Sequence, residues 1–289
     1  MKNIFLKVFA GSFFLLTVFS SCKQTPEFVK LPSGLEYKMV VDHAKQKSKV
    51  GELMLAYMTY KTENDSIIFS TYSTAKRTTM IPVGKVKTVA DMNEAFLLLG
   101  TGDSAIFKLP SDSLFTKPGS RPAFIKQGAY IIVGIKVDTV VTSDGYTALM
   151  TASAGKQKQT DEELIKKYLD ENKIIASRTE SGLYYVVETP GKGDNAKAGD
   201  SVSVIYTGML LNGKIFDATS MSEAKKPFTF QLGAHNVVQG WDEGLTYFNK
   251  GAKGKLFIPS HLGYKERAIP NRIPANSVLV FEVELANIK

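Results

Sequence analysis

The sequence predicts an α+β protein of two similar domains, each an antiparallel sheet wrapped on a short helix, with a helical linker between them. Three observations carry that expectation: short runs of alternating apolar and polar residues, a weak self-match at an offset of 149 residues, and one amphipathic helical stretch between the matching halves.

The alternation is clearest in Ser201-Val202-Ser203-Val204-Ile205-Tyr206, the period-two signature of a half-buried strand. Asn212-Gly213 marks a hairpin turn, because both residues tolerate positive φ. Pro227 to Leu232 and Ser277 to Leu285 also read as strands, and Gly240 to Phe248 as the short helix. One helix against an antiparallel sheet is an α+β layer.

The self-match pairs Gly84 with Gly233, Val89 with Val238, Glu94 with Glu243, Gly102 with Gly251, and Pro110-Ser111 with Pro259-Ser260. The starts also agree: Ser33-Gly34-Leu35-Glu36-Tyr37 against Ser181-Gly182-Leu183-Tyr184-Tyr185. An ordered series of this kind is the mark of a duplicated unit. It sets two domains over residues 34–141 and 179–289, with a linker over 142–178. Within the linker Thr160 is an N-cap with Glu163 at the capping-box position, and Leu164, Ile165, Tyr168 and Leu169 form one apolar stripe. A helix is expected over about 161–174.

Composition excludes several classes of function. The formal net charge is +8, two of it from Lys2 and Lys7, and the lysines are spread rather than gathered in a block. That is a solvated surface and not a nucleic-acid groove. The chain has one cysteine and three widely separated histidines, His43, His235 and His261, so neither an internal disulfide nor a histidine metal site is expected. No HExxH, GxSxG or phosphate-loop pattern occurs. No cofactor or metal is called for.

Residues 1–21 read as a signal peptide: Lys2 and Lys7 in a basic start, an apolar run to Phe19, then Ser20-Ser21. The single cysteine, Cys22, follows at once, in the manner of a bacterial lipobox with Phe19 where leucine is usual. An acylated Cys22 with residues 22–33 as tether would place the protein in the bacterial cell envelope, lipid-anchored on the outer membrane at its periplasmic or surface side. Each buried CH₂ of such an anchor contributes ~0.8 kcal/mol.

The chemistry is written in the second domain. Val204-Ile205-Tyr206-Thr207-Gly208, Asn212 to Asp217, Pro227 to Gly233 and Val237 to Leu245 follow one another in order. Ile258-Pro259, Tyr264, Ile273-Pro274-Ala275-Asn276 and Leu279 to Leu285 complete the series. This set resembles the FK506-binding-protein (FKBP) type of peptidyl-prolyl cis-trans isomerase, in a bacterial lipoprotein form with two FKBP-like domains. The resemblance implies a non-covalent foldase acting on proline-containing polypeptides of the envelope, able to bind FK506-like macrolides. It implies that Trp241 is the floor of the prolyl pocket, and that Tyr206, Phe216, Phe228, Val237, Ile273 and Phe281 line its walls. It implies that the Val238 N–H and the Tyr264 hydroxyl bind carbonyls, and that Asp217, held by Tyr206, is the carboxylate near the twisting amide.

Elementary chemistry asks for the same kind of site. Rotation about the peptide bond faces a barrier of ~18–20 kcal/mol set by amide resonance. Removing water disfavours the charge-separated planar form, so an aromatic pocket with few polar groups suits that rotation. The departures from the family pattern lie on the rim. The Phe216–Phe228 segment is two residues longer than in compact members. The usual arginine partner of the aspartate is missing, with Lys225 or Lys226 in its place, and Lys265 and Ile269 replace common glycine and histidine.

In the first domain Met92 matches Trp241, Phe115 matches Tyr264, Ser70 matches Asp217 and Phe69 matches Phe216, with no counterpart of the Ile273–Asn276 segment near Ile125. The polar handles are therefore lost, and a scaffold, dimerisation or client-binding role is expected there. A second reading of the whole chain is a chaperone-like or assembly module that keeps the fold without turnover. Cys22→Ser is expected to move the protein from the membrane fraction to the soluble envelope fraction; unchanged partition would remove the anchor from the account.

Overall fold

The structure is a computed structural model that describes residues 27–72, 78–115, 117–222 and 226–289. The signal peptide, Cys22 and the first part of the tether lie outside the described residues, as does Lys225. The chain forms two compact units, Met1–Tyr146 and Thr147–Lys289.

Unit 1 is a seven-stranded sheet of order β1-β2-β6-β7-β3-β4, with β5 pairing β3. Its strands are Val29–Lys30 (β1), Glu36–Val41 (β2), Leu53–Thr62 (β3), Ile67–Ser70 (β4), Thr79–Pro82 (β5), Ser104–Pro110 (β6) and Tyr130–Val141 (β7). Helix α1, Met92–Leu97, and a single turn α2, Ser111–Leu114, complete it. Asp91 caps α1, its side chain accepting from the Asn93 N–H. Within the run Leu97-Leu98-Leu99, Leu99 is fully buried.

Helix α3, Ser143–Glu171, follows, and then unit 2 repeats the same plan. Its strands are Ser177–Arg178 (β8), Tyr184–Thr189 (β9), Lys192–Asn195 (β10), Ser201–Leu210 (β11), Ile215–Ala218 (β12), Phe228–Gln231 (β13), Asn249–Lys250 (β14), Lys253–Ile258 (β15) and Leu279–Ile288 (β16). The large sheet runs β12-β11-β16-β15-β9-β8, with β13 pairing β11. Helix α4, Gln239–Gly244, is continued by a 3₁₀ turn at Leu245–Tyr247.

Period-two alternation places the two faces of the unit 2 sheet. Leu256, Ile258, Leu279 and Phe281 face the core that contains Trp241 of α4. The intervening Phe257, Val278 and Val280 face the other way and pack on Ile165 and Leu169 of α3. The α+β class and the helix-on-sheet layering follow the expectation.

The linker helix differs from the expected 161–174. It starts at Ser143, where the Gly145 N–H bonds the Thr142 hydroxyl at 3.1 Å. The stretch from Ala148 to Gln159 is rich in Ala, Lys and Gln, strong helix formers that carry the helix through Thr160. Thr160 is therefore interior, its hydroxyl donating to the Lys156 carbonyl at 3.1 Å instead of capping. Lys173, at φ 55°, ends the turn, and the Ile174 N–H bonds back to Leu169.

The C-terminal half of α3 belongs to unit 2 as packed structure. Asp161, Ile165 and Leu169, spaced four apart on one face, are its buried residues. Asp161 is fully buried. Its carboxylate accepts from the Ser260 N–H at 2.8 Å, the Ser260 hydroxyl at 2.6 Å and the Gln157 amide at 2.7 Å. Asp161→Ala leaves the buried Ser260 N–H unpaired, which costs about 1–3 kcal/mol. The urea midpoint of unit 2 is expected to fall accordingly; an unchanged midpoint would show that α3 is not held there.

Candidate active site

The site is built from the inner face of β11, β12, β13 and β16 and from the start of α4. On β11, Gly208 pairs with Asp217 of β12 on one side and Phe281 of β16 on the other. A Cβ at Gly208 would lie 2.6 Å from the Phe281 ring and 2.8 Å from the Phe216 ring. Only hydrogen fits there, so both rings close over the strand and meet edge to face at 5.6 Å. Trp241, 4% exposed, is the hub: Phe281 lies 5.1 Å from it and Tyr206 5.0 Å, both edge to face.

These rings bound a cavity of about 240 Å³ lined by Tyr206, Phe216, Asp217, Phe228, Asn236, Val237, Val238, Trp241, Tyr264 and Phe281. Nine of the ten expected site residues are thus brought together. The tenth, Ile273, is buried in the adjoining core and does not line the cavity. Asn236 was missed by sequence reasoning; its signal is faint, an amide just ahead of Val237 and just after His235, which holds φ 58°. Phe228, 45% exposed, stands at the mouth.

The polar groups are few and ordered. The Tyr206 hydroxyl donates to Asp217 Oδ2 at 2.9 Å, and Asp217 Oδ1 accepts the Ala218 N–H at 3.0 Å. The Thr219 hydroxyl accepts the Tyr206 N–H at 2.9 Å, fixing β11 against the segment that carries the aspartate. Among the described residues Asp217 makes no ion pair. Among the described residues the charge of Arg272 acts on both Tyr206 and Tyr264, and that of Arg267 on Tyr264. Of the two lysines expected near the aspartate, Lys225 lies outside the described residues and Lys226 forms no ion pair among them. Among the described residues neither the Val238 N–H nor the Tyr264 hydroxyl has a hydrogen-bond partner, and the Trp241 indole N–H is buried without one. An apolar box edged by unpaired donors is a receptor for an apolar ring flanked by carbonyls.

Burial lifts the Tyr206 phenol, and its bond to Asp217 and that residue's charge add to the lift, up to about 12. Burial first, then the Asp217 charge, raises Tyr264 as well.

A family model described as FKBP-type peptidyl-prolyl cis-trans isomerase matches residues 192–286. The FK506-binding protein 1A of Neurospora crassa is 45% identical over 109 residues, which is 37% of this chain and 89% of that protein. The chain belongs to the FKBP-type peptidyl-prolyl cis-trans isomerase family. A probable FKBP-type isomerase of Haemophilus influenzae is 40% identical over 136 residues, 47% of this chain and 54% of its own length. The FKBP-type isomerase FkpA of Buchnera aphidicola is 42% identical over 135 residues, 46% and 51%. The chain thus spans about half the length of these bacterial FKBP relatives.

Unit 1 keeps the FKBP-like strand plan, and its hydrogen bonds fix which residue stands where. The Met58 N–H bonds the Thr71 hydroxyl as Tyr206 bonds Thr219. The Gly84 N–H bonds Asn93 as Gly233 bonds Asp242, and Ser33 bonds Glu94 as Ser181 bonds Glu243. Met92 therefore holds the Trp241 place. Counting back from Thr71 corrects the sequence alignment by one residue: Phe69, not Ser70, stands where Asp217 does, and Ile68, not Phe69, where Phe216 does. Tyr60, paired with Phe69 and Val133, occupies the Gly208 place, and Val133 that of Phe281. Tyr60 packs against the core of unit 1, and burial raises its phenol. The Ile273–Asn276 segment does have a partial counterpart: Ile125 is buried, and Gly128 has φ 74° where Asn276 has φ 55°.

A folded state that holds the Tyr206 proton more tightly than the unfolded chain is stabilised fully below the ordinary tyrosine pKa of about 10. That contribution fades as pH rises from there through the folded value of about 12. Tyrosinate absorbance should show a late step near pH 12 that Tyr206→Phe removes; tyrosines that all ionise at ordinary pH would overturn the buried Tyr206–Asp217 pair.

Proposed function

We propose that unit 2 is a peptidyl-prolyl cis-trans isomerase that assists the folding of envelope or secreted proteins. The observation that carries the reading is the cavity itself: four aromatic walls around Trp241, unpaired donors at Val238 and Tyr264, and one carboxylate held by Tyr206. The prolyl ring enters the aromatic box and stacks over Trp241. The carbonyl that precedes the X-Pro bond turns out of its plane within reach of Asp217 and Tyr206. Flanking carbonyls accept from the Val238 N–H and the Tyr264 hydroxyl. Water is excluded, so the planar form loses the solvation that favours it, and the twisted amide is stabilised relative to it without any covalent step. The same box and donors suit an FK506-like macrolide.

Unit 1, with Met92 and Tyr60 in the places of Trp241 and Gly208, is read as a scaffold or client-binding module without turnover. Residues 1–22 support a lipid anchor in the bacterial envelope, on the outer membrane.

In this mechanism grip and desolvation act before any single polar group. Trp241→Leu is expected to lose the most turnover of an X-Pro tetrapeptide, with melting checked alongside. Tyr264→Phe should lose one hydrogen bond, about 0.5–1.5 kcal/mol of transition-state stabilisation. Asp217→Asn, which keeps shape and a hydrogen-bonding group, should also be milder than the tryptophan change. Abolished turnover in a folded Asp217→Asn protein, with Trp241→Leu mild, would replace this mechanism with electrostatic or acid–base chemistry at Asp217.

A further inference from the structure

The prolyl cavity does not end at Tyr264. That residue also lines a depression of about 510 Å³ beside Asn236, Val238 and Lys265, and a groove of about 550 Å³ beyond it. Tyr264 borders all three concavities and Lys265 borders the depression and the groove, so the three lie side by side around Tyr264 and are together called the trough. The far wall of the groove is helix α3, through Ser153, Gln157 and Lys158. The near wall is the loop after β15, with His261, Lys265 and Arg267.

Three features make this a built wall and not a chance crevice. First, α3 is fixed at the groove: buried Asp161 bonds both Gln157 on the helix and Ser260 at the base of the loop. Second, the helix residues of the wall lie ahead of the family match at 192–286 but within the longer stretch shared with the Haemophilus influenzae isomerase, whose 136 aligned residues take in Gln157 and Lys158. Third, the charge is one-sided. Lys158, Lys265 and Arg267 are exposed and, among the described residues, form no ion pair, while Glu266 is the one acidic residue lining the groove. Gln157 and Asn276 add side-chain amides able to pair with an extended backbone.

We infer that the trough binds the client chain beyond its proline, as an extended segment whose acidic side chains meet Lys158, Lys265 and Arg267. The inference rests on the prolyl reading of the cavity. An extended chain advances ~3.3 Å per residue, so it is the residues flanking the proline that pass Tyr264 toward the groove. Exposed charge pairs at a rim are individually weak and screened by salt. The preference is therefore expected to be modest, additive over two acidic residues and strongest at low ionic strength.

The test uses the mature full chain and three families of X-Pro peptide: a short reference, and the same peptide extended by Glu-Glu or by Lys-Lys on either flank. On one flank the Glu-Glu peptide is expected to exceed the Lys-Lys peptide in kcat/KM by about threefold or more, carried by KM and lost in high salt. Lys158→Glu, each rate normalised to that protein's own turnover of the short peptide, should erase or reverse the ratio. Equal rates for the two extensions on both flanks, or a ratio unmoved by Lys158→Glu, would overturn the trough. If the short peptide is not turned over at all, the isomerase reading fails instead. Fluorescence anisotropy of labelled Glu-Glu and Lys-Lys peptides then decides the trough alone: tighter binding of the acidic peptide, lost in Lys158→Glu, supports it, and equal binding overturns it.

Discussion

The site depends on the missing side chain at Gly208. Because no Cβ stands there, Phe216 and Phe281 can both lean over β11 to the distance at which a methyl group would collide. Their closure sets Phe281 on Trp241, and Trp241 in turn orders Tyr206, the residue that holds Asp217. Every later property of the cavity follows: an apolar box that opens past Phe228, one carboxylate whose partner phenol stays protonated far above neutrality, and the Val238 and Tyr264 donors at the rim, without a partner among the described residues. Unit 1 gives the converse. It has the same strand order and the same threonine and serine bonds, but Tyr60 occupies the glycine place, and the two rings become Ile68 and Val133. An aromatic ring thus stands on the central strand, where Tyr60 packs against the core of unit 1 with Phe69 of β4 beside it.

Helix α3 gives unit 2 a part that lies ahead of the family model's match at 192–286 but inside the longer alignment with the Haemophilus influenzae isomerase. Its buried aspartate grips Ser260, four residues before Tyr264, and its apolar residues cover the outer face of β15 and β16, whose inner face supports Trp241. Stability and site geometry are therefore tied together: the helix that seals the sheet also holds the loop from which the Tyr264 hydroxyl projects. This is why the functional unit begins within the linker and not at the residue where the family pattern starts.

Much of this was legible in the sequence, for physical reasons that can be named. Strands announced themselves by alternation. The site residues announced themselves by motifs in which glycine permits close approach, aromatics build the box and one aspartate supplies the charge. What was not legible depended on longer-range contacts. Thr160 carries a capping signature, but the Ala- and Lys-rich stretch before it continues the helix and overrides the cap. The one-residue shift of Phe69 and Ile68 is invisible without the hydrogen bond of Thr71, because Phe-Ser resembles Phe-Asp locally while the pairing of β3 with β4 sets the register. Ile273 belongs to the motif yet turns into the core. Arg272, whose charge reaches both tyrosines, sits far along the chain from Asp217.

The account stands on the claim that one unit carries the catalytic box and the other has filled it. Isomerisation of one X-Pro tetrapeptide by residues 147–289 and by residues 27–146, each checked for a cooperative melt, measures this directly. Turnover confined to residues 147–289 is the expected result. Comparable turnover by residues 27–146 would mean that Tyr60 and Met92 do not close the first site, and that the argument from Gly208 and Trp241 is wrong.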